Sequence, residues 1–194
     1  MKLKNFTKVK DGKYLKNYEL VYENKGGKIK KYEIVSHSEI KSVDELGERV
    51  SGVSIVALYE GKMLLLKEFR MAVNRHVYNL CAGMIEKGES IEEAIKRELH
   101  EETGLFVDEI IDILPPSYAA VGFSDVQTNI AIIKAKGTLS DEFLSDNEDI
   151  DACFYTKDEV KALLKNEKFS SRAQVMAYFF SNNGFDIIPS IIKK

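Results

Sequence analysis

The segment from Gly83 to Leu105, GMIEKGESIEEAIKRELHEETGL, concentrates glutamate at helical spacing. Glu98 and Glu102 are one helical turn apart, and Glu101 lies beside them. Like charges at this spacing repel each other, and a helix C-terminus disfavours negative charge. A bound divalent cation would reverse the sign of this repulsion, because Mg²⁺ and Mn²⁺ prefer oxygen ligands. Taken alone, such a cluster is usually a solvated acidic face, with a metal site as the alternative, and the longer pattern around it decides between the two.

A helix from Ser90 to Thr103 must position these carboxylates. Ser90 followed by Glu93 forms a capping box, and Gly104 is a natural stop after the last turn. One apolar stripe would face a core and consists of Ile91, Ala94, Ile95 and Leu99. The carboxylates then lie at the edge of that core, where partial burial raises their pKa values.

The whole segment follows the pattern G-x5-E-x7-R-E-U-x-E-E-x-G-U, in which U is aliphatic. Every defined position is filled, by Gly83, Glu89, Arg97, Glu98, Leu99, Glu101, Glu102, Gly104 and Leu105. The segment resembles the Nudix box. This resemblance implies an α+β protein of the Nudix fold, an α/β/α sandwich with a mixed sheet. It also implies hydrolysis of the pyrophosphate of a nucleoside diphosphate linked to another group.

The resemblance assigns a role to each of the charged positions of the box. Glu98 and Glu102 would be the principal ligands of Mg²⁺ or Mn²⁺, with Glu101 in the same cluster. The carbonyl oxygen of Ala82 would complete the metal site. Glu89 and Arg97 would be a supporting pair that orients the carboxylates.

Two further stretches are similar to the ADP-ribose pyrophosphatase branch of this family. KEFRMAVNRHVYNLCAGMIEKGE places Arg70 where a substrate phosphate would be contacted. SDNEDIDACFYTKDEV matches an acidic loop that closes over the metals. By position, Glu148 would be an additional metal ligand, and Asp146 or Glu148 the general base; Glu101 is the third catalytic candidate.

The amino terminus is predicted to form a β-hairpin from Tyr14–Glu23 and Lys28–Val35, with Gly26-Gly27 at the turn. In the related branch such a β appendage is exchanged across a homodimer and helps to bind the adenosine. Tyr32 would then stack on the base, and His37 would replace a substrate-binding arginine. We therefore expect an appendage at residues 1–48 and the hydrolase domain at residues 49–194.

Some substrate-facing positions depart from that branch: Val121 replaces a proline, Val126 an acidic residue and Cys81 the proline of its PAG motif. The sequence therefore supports the hydrolytic reaction better than it supports ADP-ribose as the substrate, and other nucleotide sugars remain alternative substrates. Two alternatives are a Nudix enzyme that acts on nucleoside triphosphates and a Nudix domain that only binds a nucleotide as a sensor. The hairpin and Arg70 argue against the first, and the intact glutamate cluster argues against the second.

Composition narrows the class of protein. The 194 residues carry a formal charge of −3, which gives no basic field for nucleic acid and no polybasic membrane signal. The apolar runs are too short to span a bilayer, and the amino terminus lacks the apolar middle of a signal peptide. Cys81 and Cys153 lack zinc-site spacing. We expect a cytoplasmic homodimer with a small-molecule nucleotide-sugar substrate.

The remaining elements are predicted from hydrophobic periodicity and turn residues. Ser36–Ser51 is expected to be an irregular connector, and two strands flank Gly61. Further strands are expected at Val77–Ala82, Ile110–Leu114, Asn129–Ala135 and Ala152–Tyr155. PPSYAAVGFSD is expected to be a loop, and helices are expected near Lys157–Asn166 and Ser171–Ser181.

Overall fold

The structure, a computed structural model, describes residues 1–187, which form ten strands, three α-helices and two short 3₁₀ turns. The strands are β1 (Lys2–Asp11), β2 (Lys16–Glu23), β3 (Ile29–Ser36), β4 (Val50–Tyr59), β5 (Lys62–Arg70), β6 (Arg75–Asn79), β7 (Cys81–Met84), β8 (Phe106–Tyr118), β9 (Gln127–Lys136) and β10 (Ile150–Tyr155). The helices are α1 (Ile91–Thr103), α2 (Lys157–Asn166) and α3 (Ser171–Ser181).

A seven-stranded sheet forms the centre of the fold, in the order β10-β5-β4-β9-β8, with β6 paired to β5 and β7 to β4. Strands β4 and β5 alternate their side chains between its two faces. One face carries Ile55 and Leu64 and packs on α1 through Ile95 and Leu99. The other face packs on α2 and α3, and its core includes Val56, Met63, Leu65, Val160, Ala173, Ala177 and Phe180. The predicted α+β sandwich is therefore confirmed.

Helix α1 has the ends that its sequence predicts. The Ser90 side chain accepts a hydrogen bond from the Glu93 backbone N–H, and the Glu93 side chain accepts one from Ser90, so the capping box is complete. Gly104 ends the helix in the left-handed region at φ 72°, which favours glycine because that conformation strains residues with a β-carbon. Helices α2 and α3 also span the predicted residues.

Two predicted strand boundaries are wrong. Val77–Ala82 is not one strand, because the chain changes partners at Leu80: β6 pairs with β5 and β7 with β4. The strand predicted at Ile110–Leu114 extends to Tyr118 through Pro115 and Pro116. Strand β8 lies at the edge of the sheet, where proline is tolerated because one side of the backbone needs no partner.

The amino-terminal sheet has three strands, in the order β1-β2-β3, instead of the predicted hairpin. Strand β1 escapes detection because register shifts at Leu3/Asn5 and Lys8/Lys10 interrupt its alternation, as bulges do. One face of this sheet buries a small core that includes Tyr18 and Leu20. The predicted β2–β3 pairing is confirmed.

The chain divides into two compact units. The first comprises Met1–Gly52 and Pro115–Asn129, and the second comprises Val53–Leu114 and the chain from Ile130 onward. The predicted PPSYAAVGFSD loop thus belongs with the amino-terminal sheet. The Val35 N–H donates to the Phe123 carbonyl over 2.8 Å. In the described part of the chain, no helix has the length and apolar character that a membrane crossing requires.

Candidate active site

A cavity of about 420 Å³ opens in the second unit beside β5, β7, α1 and the loop between β9 and β10. Four of the predicted site residues that line it carry ionisable side chains: Arg70, Glu98, Glu102 and Glu148. Ala82, predicted to contribute its carbonyl oxygen, also lines it. Segments far apart in sequence therefore meet at one cavity.

Glu98 is the most buried carboxylate of the site, with 8% of its surface exposed. Its carboxyl group fills the space that a β-carbon at position 83 would occupy, so only glycine fits there beside it. Burial raises the pKa of Glu98, while its ion pair with Arg97 opposes that shift. The absence of a side chain at Gly83 thus creates the cradle that holds this carboxylate.

Glu102 lies one turn further along α1 and is half-buried. Its Oε2 accepts a hydrogen bond from the Ala82 backbone N–H over 3.1 Å. Burial raises the pKa of Glu102 to about 8, and the negative charges of Glu98 and Glu68 act in the same direction. A cation in the cavity would stabilise the ionised form that these surroundings disfavour.

Arg97 organises the outer side of the cluster. Its guanidinium binds Glu89 through two hydrogen bonds of 2.8 and 2.9 Å, and it also donates to the Met84 carbonyl over 2.9 Å. A third nitrogen pairs with Glu98 at 2.8 Å and Glu101 at 3.0 Å. Arg97 holds the pKa of Glu89 at about 2. This arrangement is what an orienting pair requires.

Two of the three catalytic candidates do not line the cavity. Glu101 is exposed and accepts from Arg97, and Asp146 is an exposed residue of the acidic loop. The third, Glu148, lines the cavity, and its Oε2 accepts from the Ser145 backbone N–H over 2.8 Å. Among these three candidates, Glu148 is thus the one whose residue lines the cavity.

Besides Asp149, sequence reasoning missed Glu68, a further charged residue that lines the cavity. It forms an ion pair with Arg70 and accepts from Asn79 Nδ2 over 2.9 Å. Asn79 in turn accepts from Ser170 Oγ over 2.7 Å. The signal was present, because Glu68 and Arg70 are two apart on a strand and share one face.

The donor set suits a hard divalent cation, since carboxylate and carbonyl oxygens surround the cavity. Within residues 1–187, however, no three acidic, histidine or cysteine side chains form a ready-made ion site. Some of the carboxylate oxygens already have partners: Arg97 binds one oxygen of Glu98 and one of Glu101. The Ala82 N–H donates to one oxygen of Glu102. A bound ion would compete with Arg97 and the Ala82 N–H for these carboxylate oxygens.

The two substrate-binding candidates of the first unit lie on or just after β3. The Tyr32 hydroxyl donates to the Gly122 carbonyl, and 39% of the residue's surface is exposed. His37 is exposed. The hydrogen bond fixes the edge of the Tyr32 ring against residues 115–129 of the same unit.

The family model of the NUDIX domain matches residues 48–179, and the chain belongs to this family of hydrolases. Its members generally use divalent metal ions.

Three relatives extend the comparison. An ADP-ribose pyrophosphatase of Bacillus subtilis (strain 168) is 28% identical over 81% of this chain and 79% of its own. An ADP-sugar pyrophosphatase of Mus musculus is 29% identical over a region that covers 66% of this chain and 59% of the mouse protein. A crystal structure of an ADP compounds hydrolase has a TM-score of 0.73 at 19% identity and covers 96% of this chain and 95% of its own. At 19% identity, this structural comparison supports the fold alone.

Proposed function

We propose that this protein hydrolyses the pyrophosphate of a nucleoside diphosphate linked to another group, with ADP-ribose or a related nucleotide sugar as substrate. The observation that carries the proposal is the single cavity that holds Arg70 together with Glu98, Glu102 and Glu148. Similarity to the pyrophosphatases of Bacillus subtilis and mouse supports the substrate class.

In the proposed site, Glu98, Glu102, Glu148 and the Ala82 carbonyl would hold Mg²⁺ or Mn²⁺. When bound, such an ion screens the negative pyrophosphate, polarises a phosphoryl oxygen and lowers the pKa of a bound water. Arg97 and Glu89 would keep the carboxylates in place. Glu101, exposed beside Arg97, would contribute to the outer side of this metal cluster.

The remaining steps fall to other side chains. Arg70, held by Glu68, would contact a substrate phosphate. Glu148, or Asp146 from the same loop, would take a proton from the attacking water. The water oxygen forms a bond to one phosphorus, and the bridging oxygen leaves with the other phosphate. ADP-ribose would thus give AMP and ribose 5-phosphate, with no free orthophosphate.

We further propose that residues 1–48 are an appendage to a hydrolase domain at residues 49–194 and contribute to a homodimer. Tyr32 would stack on the base, and His37 would contact the substrate. The free thiols of Cys81 and Cys153 fit a reducing compartment such as the cytoplasm.

A substrate panel tests this function directly. Purified protein with Mg²⁺ would be incubated with ADP-ribose, ADP-glucose, GDP-mannose, ATP and dGTP, and the products would be separated by chromatography. We expect turnover of nucleotide sugars to two monophosphates. Faster conversion of ATP or dGTP to a monophosphate and pyrophosphate would favour the triphosphate alternative. Tight nucleotide binding without turnover would favour the sensor.

A further inference from the structure

An aromatic stack joins α1 to the loop that carries Glu148. The His100 ring lies between two phenylalanine rings, with centroids 4.6 Å from Phe106 and 4.3 Å from Phe143. Phe143 belongs to the segment between β9 and β10, and 48% of its surface is exposed. Phe143 lies in an exposed acidic loop and is not part of a hydrophobic core. The His100 ring is therefore the group against which it packs.

Stacking holds the His100 ring, and hydrogen bonding at Nδ1 does not contribute. His100 Nδ1 is buried without a hydrogen-bond partner among the described residues. A histidine selected for hydrogen bonding would satisfy that atom. A flat ring of similar size should therefore serve equally well at this position.

A backbone contact next to the stack fixes the start of the loop. The Ser140 N–H donates to the Thr103 carbonyl, the last residue of α1, over 2.9 Å. A β-carbon at Gly104 would lie 2.8 Å from Ser140 Cβ, so the two segments approach each other closely. The loop therefore leaves β9 against the C-terminal end of the carboxylate helix.

The far end of the loop is fixed to β5 and β6. The Phe69 N–H donates to the Asp149 carbonyl over 2.9 Å, and His76 Nε2 lies 3.1 Å from Asp149 Oδ2. Between the two ends, Ser145 and Glu148 close a turn through hydrogen bonds of 2.8 and 3.0 Å. Glu148 thus lies in a short turn whose place depends on its two attachments.

We propose that His100 and Phe143 are positioning residues that set the place of the acidic loop and, through it, of Glu148 at the cavity. This inference rests on the proposed function for its kinetic consequence. Without the stack, the loop keeps its attachment at Asp149 and its backbone contact at Ser140 but loses the side-chain anchor between them. Glu148 then occupies its catalytic position for a smaller fraction of the time.

Hydrogen–deuterium exchange on the metal-free protein tests the anchor without any turnover. Phe143→Ala and His100→Ala should speed exchange in peptides that cover residues 141–149, whereas His100→Phe should leave it unchanged. Tyr178→Ala, at an exposed aromatic of α3, is the matched control. Unchanged exchange in both alanine variants would overturn the anchor.

Kinetics test the consequence for Glu148. Phe143→Ala should lower kcat about 3- to 10-fold, the change that corresponds to losing the stabilisation of one aromatic pair. KM should change little. In a Glu148→Gln background the same change should have less than about a twofold effect, because coupled residues are not additive. An equal loss in both backgrounds would assign Phe143 a general structural role. If nucleotide sugars are not turned over at all, the proposed function fails while the exchange experiment still decides the anchor.

Discussion

The Glu98 carboxylate occupies the space that a β-carbon on Gly83 would need. Gly83→Ala should therefore push Glu98 out of the cavity while α1 keeps its apolar stripe and its cap. We expect kcat to fall by at least about a hundredfold, as when one element of charge stabilisation is lost, with the far-UV spectrum unchanged. Gly26→Ala, in an open hairpin turn, is the control and should retain activity.

The carboxylates of the cavity should be separable from other glutamates on α1. Glu98→Gln and Glu102→Gln should each lower kcat by at least about a hundredfold, because each removes charge that would stabilise a bound cation. Glu92→Gln, at an exposed position of the same helix, should have normal turnover. Steady-state kinetics with saturating Mg²⁺ make the comparison, and near-normal rates in either cavity variant would remove the metal-ligand role.

Arg97 should support metal binding through the several N–H donors of its guanidinium group as well as through its charge. Arg97→Lys keeps the charge but cannot bind Glu89 through two bonds and still reach Glu98 and Glu101. The Mg²⁺ concentration for half-maximal activity should rise about 10- to 100-fold. Lys96→Ala, on the exposed neighbouring position, should leave it unchanged. Equal Mg²⁺ dependence in Arg97→Lys and the parent protein would contradict the orienting role.

The stability of the metal-free protein should fall as pH rises from about 4.5 to 8. The pKa of Glu102 is raised from 4.5 to about 8, so the folded state holds a proton that the unfolded state has released. This stabilisation is complete below pH 4.5 and is lost through pH 8; Glu98 is shifted in the same direction. Chemical denaturation across this range measures the slope.

Two comparisons check the origin of that slope. Glu102→Gln should flatten it, because the group no longer titrates. Mg²⁺ should stabilise the protein more at pH 8 than at pH 6, since binding favours the ionised carboxylates. The shift in Glu89, whose pKa is about 2, acts below pH 4.5 and does not contribute in this window. A slope that persists in Glu102→Gln would assign the effect to other groups.

Tyr32 should contribute to the binding of the base and little to the chemical step. Stacking on the base contributes equally to the ground state and the transition state. Tyr32→Ala should therefore raise KM, by an amount that corresponds to the loss of about 1–3 kcal/mol of binding free energy. Tyr32→Phe loses only the hydrogen bond to Gly122 and should lie close to the parent. Light scattering gives the oligomeric state first: a fully active monomer would refute the exchanged appendage and the role of Tyr32.

Local sequence signals predicted α1 well because its structure depends on nearby residues. The capping box at Ser90, the glycine at position 104 and the apolar stripe each act within a few residues. The family pattern then indicated which carboxylates meet. The structure confirms the helix and places Glu98 and Glu102 in one cavity.

Features that depend on distant partners were missed. Strand β1 is interrupted by bulges that only its pairing with β2 defines. The break at Leu80 reflects a change of partner from β5 to β4. Glu68 is held by Arg70, two residues away on the same strand, and by Asn79 on β6, and no local pattern marks the contact with Asn79.

The membership of Pro115–Asn129 in the first unit has a consequence for the order of folding. Tyr32 and Gly122, which share a hydrogen bond, are separated by 90 residues along the chain. During synthesis at roughly 5–20 residues per second, the amino-terminal sheet waits about 5–20 s for this segment. Closing so long a segment costs entropy before any contact repays it. The first part of the chain to be made therefore cannot complete its unit until residue 129 has been synthesised.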